Sequence, residues 1–216
     1  MHDPAPRYPF HPEGLSFSGT HHWLQQRLQL PHSRSLRGDR LQDMGDTPLT
    51  AAAVLVPLVY RPTHLSVLLT QRTEHLSKHP GQIAFPGGRA EPDDPSAEAT
   101  ALRESCEEIG LPAGQVYLAR RLPTYITITG YQVTPVVGLL APPFDLQLDA
   151  NEVADAFEVP LSLFLDPANY TRHQYELAGR HGSYLAVTFE QRFIWGATAA
   201  MLLSLGECFM QRSFLE

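Results

Sequence analysis

The sequence predicts a mixed α/β fold in one domain, in which short strands alternate with a few helices. Short apolar runs bounded by turn residues are typical of buried strands, as at residues 51–60 and 65–70. Another segment, which ends at Gly110, repeats its apolar residues with the 3.6-residue period of a helix. No repeat of about 20 to 50 residues is visible, which argues against solenoids and propellers.

Composition narrows the classes of function. A length of 216 residues suits one domain with modest extensions, and two cysteines are too few for a disulfide framework or a zinc cluster. The net charge of −7 argues against a nucleic-acid partner, because that affinity comes from clustered Lys and Arg. Since no apolar run approaches the ~18 residues that span a bilayer, we expect no membrane partner and a cytoplasmic location. The sequence does not determine the oligomeric state, and a homo-oligomer is compatible with it.

The chain is expected to divide into a leader and a main domain. Residues 1–47 form the leader, in which the helical spacing of residues 21–30 predicts a short amphipathic helix. Residues 48–216 form the domain, whose further elements follow from period and composition. The predicted strands are residues 51–60, 65–70, 116–120, 125–128, 133–140 and 185–189, and the predicted short helices are residues 161–165 and 195–205.

A long helix is predicted for residues 95–109. Asp94 can accept a backbone N–H as the N-cap, Pro95 is tolerated at the first helical position, and Gly110 supplies the stop. At about 100° per residue, an apolar stripe and an acidic face lie on nearly opposite sides of this helix. The stripe comprises Ala99, Leu102, Cys106 and Ile109, and the acidic face comprises Glu104, Glu107 and Glu108.

The acidic face is a candidate metal site. Three carboxylates at i, i+3 and i+4 repel one another, and a divalent cation would offset that repulsion. Mg²⁺ and Mn²⁺ prefer carboxylate oxygens and leave positions for water and phosphate oxygens, which suits pyrophosphate hydrolysis. An isolated E-x-x-E-E is more often a solvated helix face, so the neighbouring residues decide between the two interpretations.

A glycine turn and the end of this helix together resemble a known motif. The turn is the segment 85–88, F-P-G-G, and the helix ends in the segment 103–111, R-E-S-C-E-E-I-G-L. Together they resemble the Nudix box, a loop–helix motif that ends in R-E-U-x-E-E-x-G-U, where U is aliphatic. The resemblance implies the Nudix α/β/α sandwich, with a mixed β-sheet between helices, and a pyrophosphatase that uses Mg²⁺ or Mn²⁺.

The resemblance also implies roles for individual residues. Glu104, Glu107 and Glu108 would be catalytic metal ligands, and Arg103 would orient one of them through a charge-assisted hydrogen bond. A water that attacks phosphorus also benefits from a general base, for which Glu152 is the leading candidate outside the motif. The alternative is that Glu152 caps or solvates a turn.

The motif departs from the usual pattern at two points. Ser105 stands at a position that is usually aliphatic, which should affect packing more than chemistry. The spacing from Gly88 to Arg103 is fifteen residues rather than the usual fourteen, so the upstream acidic position has no unique counterpart. Three residues compete for it, namely Glu91, Asp93 and Asp94.

A second resemblance concerns the substrate. The segment 68–73, L-L-T-Q-R-T, followed by Gly81 and the glycine turn, resembles the additional signature of the coenzyme A pyrophosphatase subgroup. It implies that coenzyme A or a derivative is cut into 3′,5′-ADP and 4′-phosphopantetheine. One alternative is a Nudix pyrophosphatase for ADP-ribose, a dinucleotide or a nucleoside triphosphate. A different class of protein, a Nudix-fold module that senses a nucleotide without cutting it, is the other alternative.

The phosphates of such a nucleotide need local cations besides the metal. The substrate-binding candidates are Arg72, Lys78, His79, Arg89, Gly87 and Gly88. The subgroup signature usually has Ser or Ala after its first arginine and a second arginine further on, whereas Thr73 and Ser77 stand there in this chain. Substrate choice is therefore open. Phe193 and Trp195 are expected in the core, at the start of the terminal helix, rather than stacked on the substrate.

Overall fold

The computed structural model describes residues 14–28, 36–37, 48–177 and 180–210, and it confirms the mixed α/β fold. The helices are α1 (Phe17–Arg27), α2 (Ala97–Ile109), α3 (Leu161–Leu165) and α4 (Ala197–Met210). The strands are β1 (Leu36–Arg37), β2 (Thr50–Tyr60), β3 (Leu65–Arg72), β4 (Ile83–Ala84), β5 (Gly87–Arg89), β6 (Val116–Arg121), β7 (Tyr125–Ile126), β8 (Tyr131–Leu140), β9 (Val153–Pro160), β10 (Tyr170–Leu177), β11 (Arg180–Phe189) and β12 (Arg192–Trp195). Every predicted strand and helix overlaps one of these elements.

A large mixed sheet forms the centre of the molecule. Within the described residues its nine strands follow the order β1–β7–β8–β2–β3–β4, while β5, β6 and β9 pair with β2, β8 and β3. β2 runs parallel to β8 and antiparallel to β3 and β5. The register puts Gly87 opposite Val54 and Gly88 opposite Ala53. The glycine turn is therefore a short strand against the central strand of the sheet.

Two apolar clusters cover the two faces of this sheet. Leu55 and Val59 of β2 pack in the cluster that includes α2. Val56 and Leu58 pack in the other cluster, with residues of α1, α3 and α4. Side chains on a strand alternate between its two faces, so the sheet lies between helices on both sides. The predicted α/β/α sandwich is confirmed.

The leader contributes a helix to this core. α1 begins at Phe17, four residues before the predicted start, with Ser16 as its N-cap. Leu24 and Leu28 are 0% and 1% exposed and belong to the larger apolar cluster. Residues 29–30 of the predicted helix lie outside the described residues, and the division of the chain at residue 47 stays a prediction. Within the ranges that the structure describes, no helix is long and apolar enough to cross a membrane.

A second, three-stranded antiparallel sheet consists of β10, β11 and β12. Its inner face contributes Val187 and Ile194 to the core, at 1% and 0% exposure. The prediction that Phe193 and Trp195 are core residues was wrong, since they are 42% and 38% exposed on the outer face. Trp195 completes β12, and the terminal helix begins only after Gly196, whose φ is 67°.

The start of α2 differs from the prediction. The helix begins at Ala97, and Ser96 is its N-cap, with its hydroxyl accepting a hydrogen bond at 3.3 Å. The prediction that Asp94 caps the helix was wrong. Its carboxylate instead accepts hydrogen bonds from the Glu91 N–H and the Thr100 hydroxyl, both at 2.9 Å. Asp94 therefore closes the loop before the helix, and the helix ends at Gly110 as predicted.

The buried face of α2 also differs from the predicted stripe. The buried residues are Thr100, Ala101, Ser105, Glu108 and Ile109. Cys106, predicted on the apolar stripe, is exposed. Small residues face the sheet and permit close approach, and the Ser105 hydroxyl is satisfied by donating to the Ala101 carbonyl at 2.6 Å. The face is turned by about one residue, which brings Glu108 inward.

Candidate active site

The two glycines of β5 contact two acidic side chains of α2. A Cβ on Gly87 would overlap the carbonyl oxygen of Ala53, so only glycine fits against β2 at this point. The Gly87 N–H donates a hydrogen bond to Glu108 Oε2 at 3.0 Å. Gly88 lies beneath Glu104, where an added Cβ would be 2.5 Å from the carboxyl carbon. Gly87 therefore fits between β2 and Glu108, and Gly88 lies against Glu104.

Arg103 joins the acidic residues through its guanidinium group. Its Nη1 donates to Glu104 and to Glu107, each at 3.0 Å. Its Nε and Nη2 donate to the two carboxylate oxygens of Asp94 at 3.2 and 2.9 Å. Nη2 also donates to the Arg89 carbonyl at 3.1 Å. Arg103 therefore holds two of the three glutamates, where the sequence predicted that it orients one.

Asp94 is the acidic residue that faces Arg103 from upstream. Its side chain is 9% exposed, whereas Glu91 and Asp93 are exposed. The hydrogen bond from Arg103 is the main reason that the pKa of Asp94 lies well below its usual range. Of the three candidates for the upstream position, Asp94 is therefore the one that supports the site.

Glu108 is the buried member of the acidic face. It is 6% exposed, while the side chain of the adjacent Glu107 is 59% exposed. Burial is the main cause that raises the pKa of Glu108 to about 7, and the charges of Glu104 and Glu152 raise it further. Burial also raises the pKa of Glu104, against the hydrogen bond from Arg103. Burial therefore disfavours the charged form of both carboxylates.

Glu152 reaches this cluster on a turn that is fixed to the end of α2. The Asp149 N–H donates to the Glu108 carbonyl at 2.9 Å, and the Gln147 N–H donates to the Ile109 carbonyl at 2.9 Å. The Glu152 N–H in turn donates to the Asp149 carbonyl at 2.9 Å. Backbone hydrogen bonds therefore bring this distant residue beside the helix.

The predicted phosphate-binding residues divide into two groups. Arg72, at the end of β3, has its Nη1 3.8 Å from Glu108 Oε1 and thus borders the acidic cluster. Arg89 borders it through the carbonyl that Arg103 contacts. Lys78 and His79 are exposed in the loop between β3 and β4, and no contact joins them to the acidic residues within the part of the chain that the structure describes.

The donor set fits a divalent cation in its chemistry. Carboxylates are the ligands that Mg²⁺ and Mn²⁺ prefer, and a cation would relieve the unfavourable charge of the buried Glu108. Over residues 14–28, 48–177 and 180–210, no three acidic, His or Cys side chains already form a ligand set. Arg103 Nη1 lies between Glu104 and Glu107. Joint ligation therefore requires rotation about glutamate side-chain bonds, and the metal-binding role of the three glutamates stays a prediction.

Comparison with known proteins settles the family. A sequence profile of the NUDIX domain matches residues 49–177. The chain belongs to the Nudix family. It is also 43% identical over 157 residues to a Yersinia pestis (strain Pestoides F) protein named uncharacterized Nudix hydrolase NudL, covering 72% of this chain and 78% of that protein. The predicted enzyme class, a Nudix-type pyrophosphatase, is confirmed, and enzymes of this family generally use a divalent metal such as Mg²⁺ or Mn²⁺.

Solved structures are similar to the chain at lower sequence identity. A MutT/nudix family protein from Enterococcus faecalis has a TM-score of 0.46 and 19% identity, over 88% of this chain and 68% of that one. A C. elegans Ap4A hydrolase has a TM-score of 0.45 and 23% identity, over 51% of this chain and 80% of that one.

We expect Glu108→Gln to stabilise the metal-free Nudix domain above neutral pH. The folded-state pKa of about 7 lies above the usual carboxylate value, so stability from the protonated form is lost as pH rises from about 4.5 through 7. A glutamine avoids this loss and keeps an oxygen for the Gly87 N–H. In EDTA, urea unfolding at pH 8 should show a gain of up to about 3 kcal/mol, which vanishes at pH 4. An equal gain at both pH values would contradict the assignment.

The sequence did not predict the residues that hold the turn of Glu152 in place. Asp149 and Asn151 form the turn that carries Glu152, and Thr73 reaches Asn151 from the end of β3. Thr73 had stood out only as a departure from the subgroup signature. The local signal for the turn was an acidic residue two positions before an asparagine, a common loop pattern without a partner visible in sequence.

Proposed function

We propose that this Nudix hydrolase cuts the pyrophosphate bond of coenzyme A or its derivatives, with Mg²⁺ or Mn²⁺ as the cofactor. The products are 3′,5′-ADP and 4′-phosphopantetheine, with the acyl group retained where one is present. The observation that carries the proposal is the acidic cluster, in which Arg103 joins Asp94, Glu104 and Glu107 beside the buried Glu108.

The choice of substrate is supported by the neighbourhood of Arg72. This arginine belongs to the segment that resembles the coenzyme A pyrophosphatase signature, and its guanidinium lies 3.8 Å from the carboxylate of Glu108. A diphosphate held at the acidic cluster would lie within reach of Arg72, which suits bidentate phosphate binding. Lys78 and His79 are on the following loop, exposed and able to approach a further phosphate.

The residues divide the chemistry among them. Water attacks one phosphorus, the bond from that phosphorus to the bridging oxygen breaks, and the other phosphate leaves with that oxygen. Glu104, Glu107 and Glu108 would hold the divalent ion, which supplies positive charge against the linked phosphates and acidifies water. Arg103 keeps Glu104 and Glu107 together. Glu152 accepts the proton of the attacking water as the general base.

A panel of substrates tests this proposal. We expect purified protein with Mg²⁺ or Mn²⁺ to hydrolyse coenzyme A or an acyl-coenzyme A with a higher kcat/KM than ADP-ribose, NADH, a dinucleoside polyphosphate or nucleoside triphosphates. Products should be identified by mass, since 3′,5′-ADP marks cleavage at the diphosphate. A higher kcat/KM for ADP-ribose or a dinucleotide would show that the proposed substrate is wrong. The protein would still be a Nudix pyrophosphatase.

The absence of an arginine at Ser77 makes that comparison informative. Ser77 is exposed and cannot supply the charge of the usual second arginine, and the neighbouring Lys78 offers an ammonium group without the guanidinium fork. Turnover of none of the panel, together with binding of one nucleotide, would favour the nucleotide-sensing alternative. All three box glutamates are present, which supports an active enzyme.

A further inference from the structure

Two side chains from the segment that follows β3 contact the carbonyl oxygen of Asn151. The Thr73 hydroxyl donates to it at 3.1 Å, and His75 Nε2 lies 3.1 Å from it. The adjacent backbone is also joined, because the Thr73 N–H donates to the Glu152 carbonyl at 3.0 Å. A carbonyl has two lone pairs, so both side chains can bind it at once. We call these contacts the Asn151 latch.

Thr73 stands where two parts of the active site meet. Thr73 is 6% exposed and follows Arg72 directly. Its carbonyl accepts a hydrogen bond from the Gly81 N–H at 3.4 Å, which closes the loop that carries Lys78 and His79. The latch therefore connects Thr73, at the base of the loop that carries Lys78 and His79, to the turn that carries Glu152.

The turn has anchors on two sides. On one side the Asp149 N–H binds the Glu108 carbonyl of α2, and on the other side the latch binds Asn151. Glu152 itself is exposed, so its position depends on the backbone that carries it. A general base must lie within about 2.6–3.2 Å of the proton it removes. Without the side-chain contacts to Asn151, the turn would keep only backbone hydrogen bonds, among them those from the Thr73 N–H and the Asp149 N–H, and the Glu152 carboxylate could shift away from the cluster.

We propose that Thr73 and His75 are positioning residues, whose hold on the Asn151 carbonyl sets the place of Glu152 for proton removal. The proposal rests on the function proposed above, with Glu152 as the general base. Neither residue touches the reacting atoms. The departure at Thr73 from the subgroup signature keeps a hydroxyl, as serine would, and it is this hydroxyl that binds Asn151.

The first test compares two variants of Thr73. Thr73→Val keeps the shape and removes the hydroxyl, whereas Thr73→Ser keeps the hydroxyl. We expect Thr73→Val to speed amide hydrogen exchange in residues 149–153 and to lower kcat by about ten- to a hundredfold, with KM within about twofold. Thr73→Ser should restore both readouts. Should valine impair folding, His75→Ala removes the second latch contact at an exposed position and is expected to change both readouts in the same direction.

The second test is a double-mutant cycle with Glu152→Gln. If the latch acts through Glu152, Thr73→Val should lower kcat by less than about twofold in the Glu152→Gln protein. Two losses that multiply would overturn the proposal, since Thr73 would then act by another route. Unchanged hydrogen exchange in Thr73→Val would overturn it too, whatever the activity.

The outcomes separate this inference from the proposed function. A wild-type kcat in Glu152→Gln would show that Glu152 is not the general base. It would also reject the positioning role of the latch. A low kcat in Glu152→Gln beside a wild-type kcat in Thr73→Val would overturn the latch alone and leave the general base in place. A wild-type protein without turnover on the substrate panel would reject the proposed function, and hydrogen exchange would still decide whether the latch holds the turn.

Discussion

Glu107→Gln should lower kcat by roughly a hundredfold or more while the protein stays folded. Glu107 is the most exposed of the three box glutamates, and its Oε2 accepts a hydrogen bond from Arg103 at 3.0 Å. Glutamine keeps the size of the side chain and an oxygen for that hydrogen bond, but removes the negative charge that a divalent ion needs. The measurement is steady-state hydrolysis of the best substrate over a range of Mg²⁺ and Mn²⁺ concentrations.

A control substitution on the same helix separates the effect of removing a metal ligand from the effect of removing one negative charge. Glu98 lies in the first turn of α2 and is paired with Arg121, on a strand away from the acidic cluster. Glu98→Gln removes the same charge from the same helix and should keep kcat. Loss of the Glu98–Arg121 ion pair should lower the free energy of unfolding by about 1 kcal/mol or less, so urea unfolding should find both variants folded. Unchanged hydrolysis in Glu107→Gln would remove Glu107 from the metal site.

Substitution of each glycine of β5 by alanine should have a different effect, on stability at Gly87 and on activity at Gly88. Gly87→Ala should destabilise the fold by about 4 kcal/mol, because the new Cβ would overlap the Ala53 carbonyl oxygen and lie 2.5 Å from Val54 Cα. These are backbone atoms of the central strand and cannot move aside. Such a loss is a large part of a typical domain stability of about 5 to 15 kcal/mol. Urea unfolding measures it.

Gly88→Ala should instead leave the fold and damage the site. The three atoms nearest to a Cβ at Gly88 would all belong to the carboxyl group of Glu104, whose carbon would lie at 2.5 Å, and this flexible side chain can swing away. We expect a change in unfolding free energy below about 1 kcal/mol and a tenfold to hundredfold loss of kcat from the displaced carboxylate. Gly114→Ala is the matched control, since a Cβ there meets nothing within 4 Å. Equal destabilisation by Gly87→Ala and Gly88→Ala would contradict the geometry.

Two of the predicted strands, β2 and β3, have a simple apolar pattern. β2 and β3 are almost continuous apolar runs, buried on both faces, and this composition is visible in sequence. β10, residues Y-T-R-H-Q-Y-E-L, has no such pattern. It was missed because its stability comes from pairing with β11 rather than from its own composition.

Some features of the candidate site could likewise be predicted from local sequence, and others could not. The acidic residues, Arg103 and the glycines follow from spacing within one segment of the chain. The place of Glu152 depends on hydrogen bonds between residues far apart in sequence, from Asp149 to Glu108 and from Thr73 to Asn151. No local pattern predicts those partners, so Glu152 could be named from resemblance but its anchors could not be.

The sequence by itself determined the Nudix family and the presence of three carboxylates on one helix behind two glycines, because these depend on short-range spacing. Only the tertiary structure decided that Glu108 is buried against Gly87 while Glu107 faces solvent, and that Asp94 is the upstream partner of Arg103. Adjacent residues of a helix point about 100° apart, and packing against the sheet sets which of them turns inward. Two identical side chains, side by side in sequence, thereby acquire different surroundings, and burial raises the pKa of Glu108.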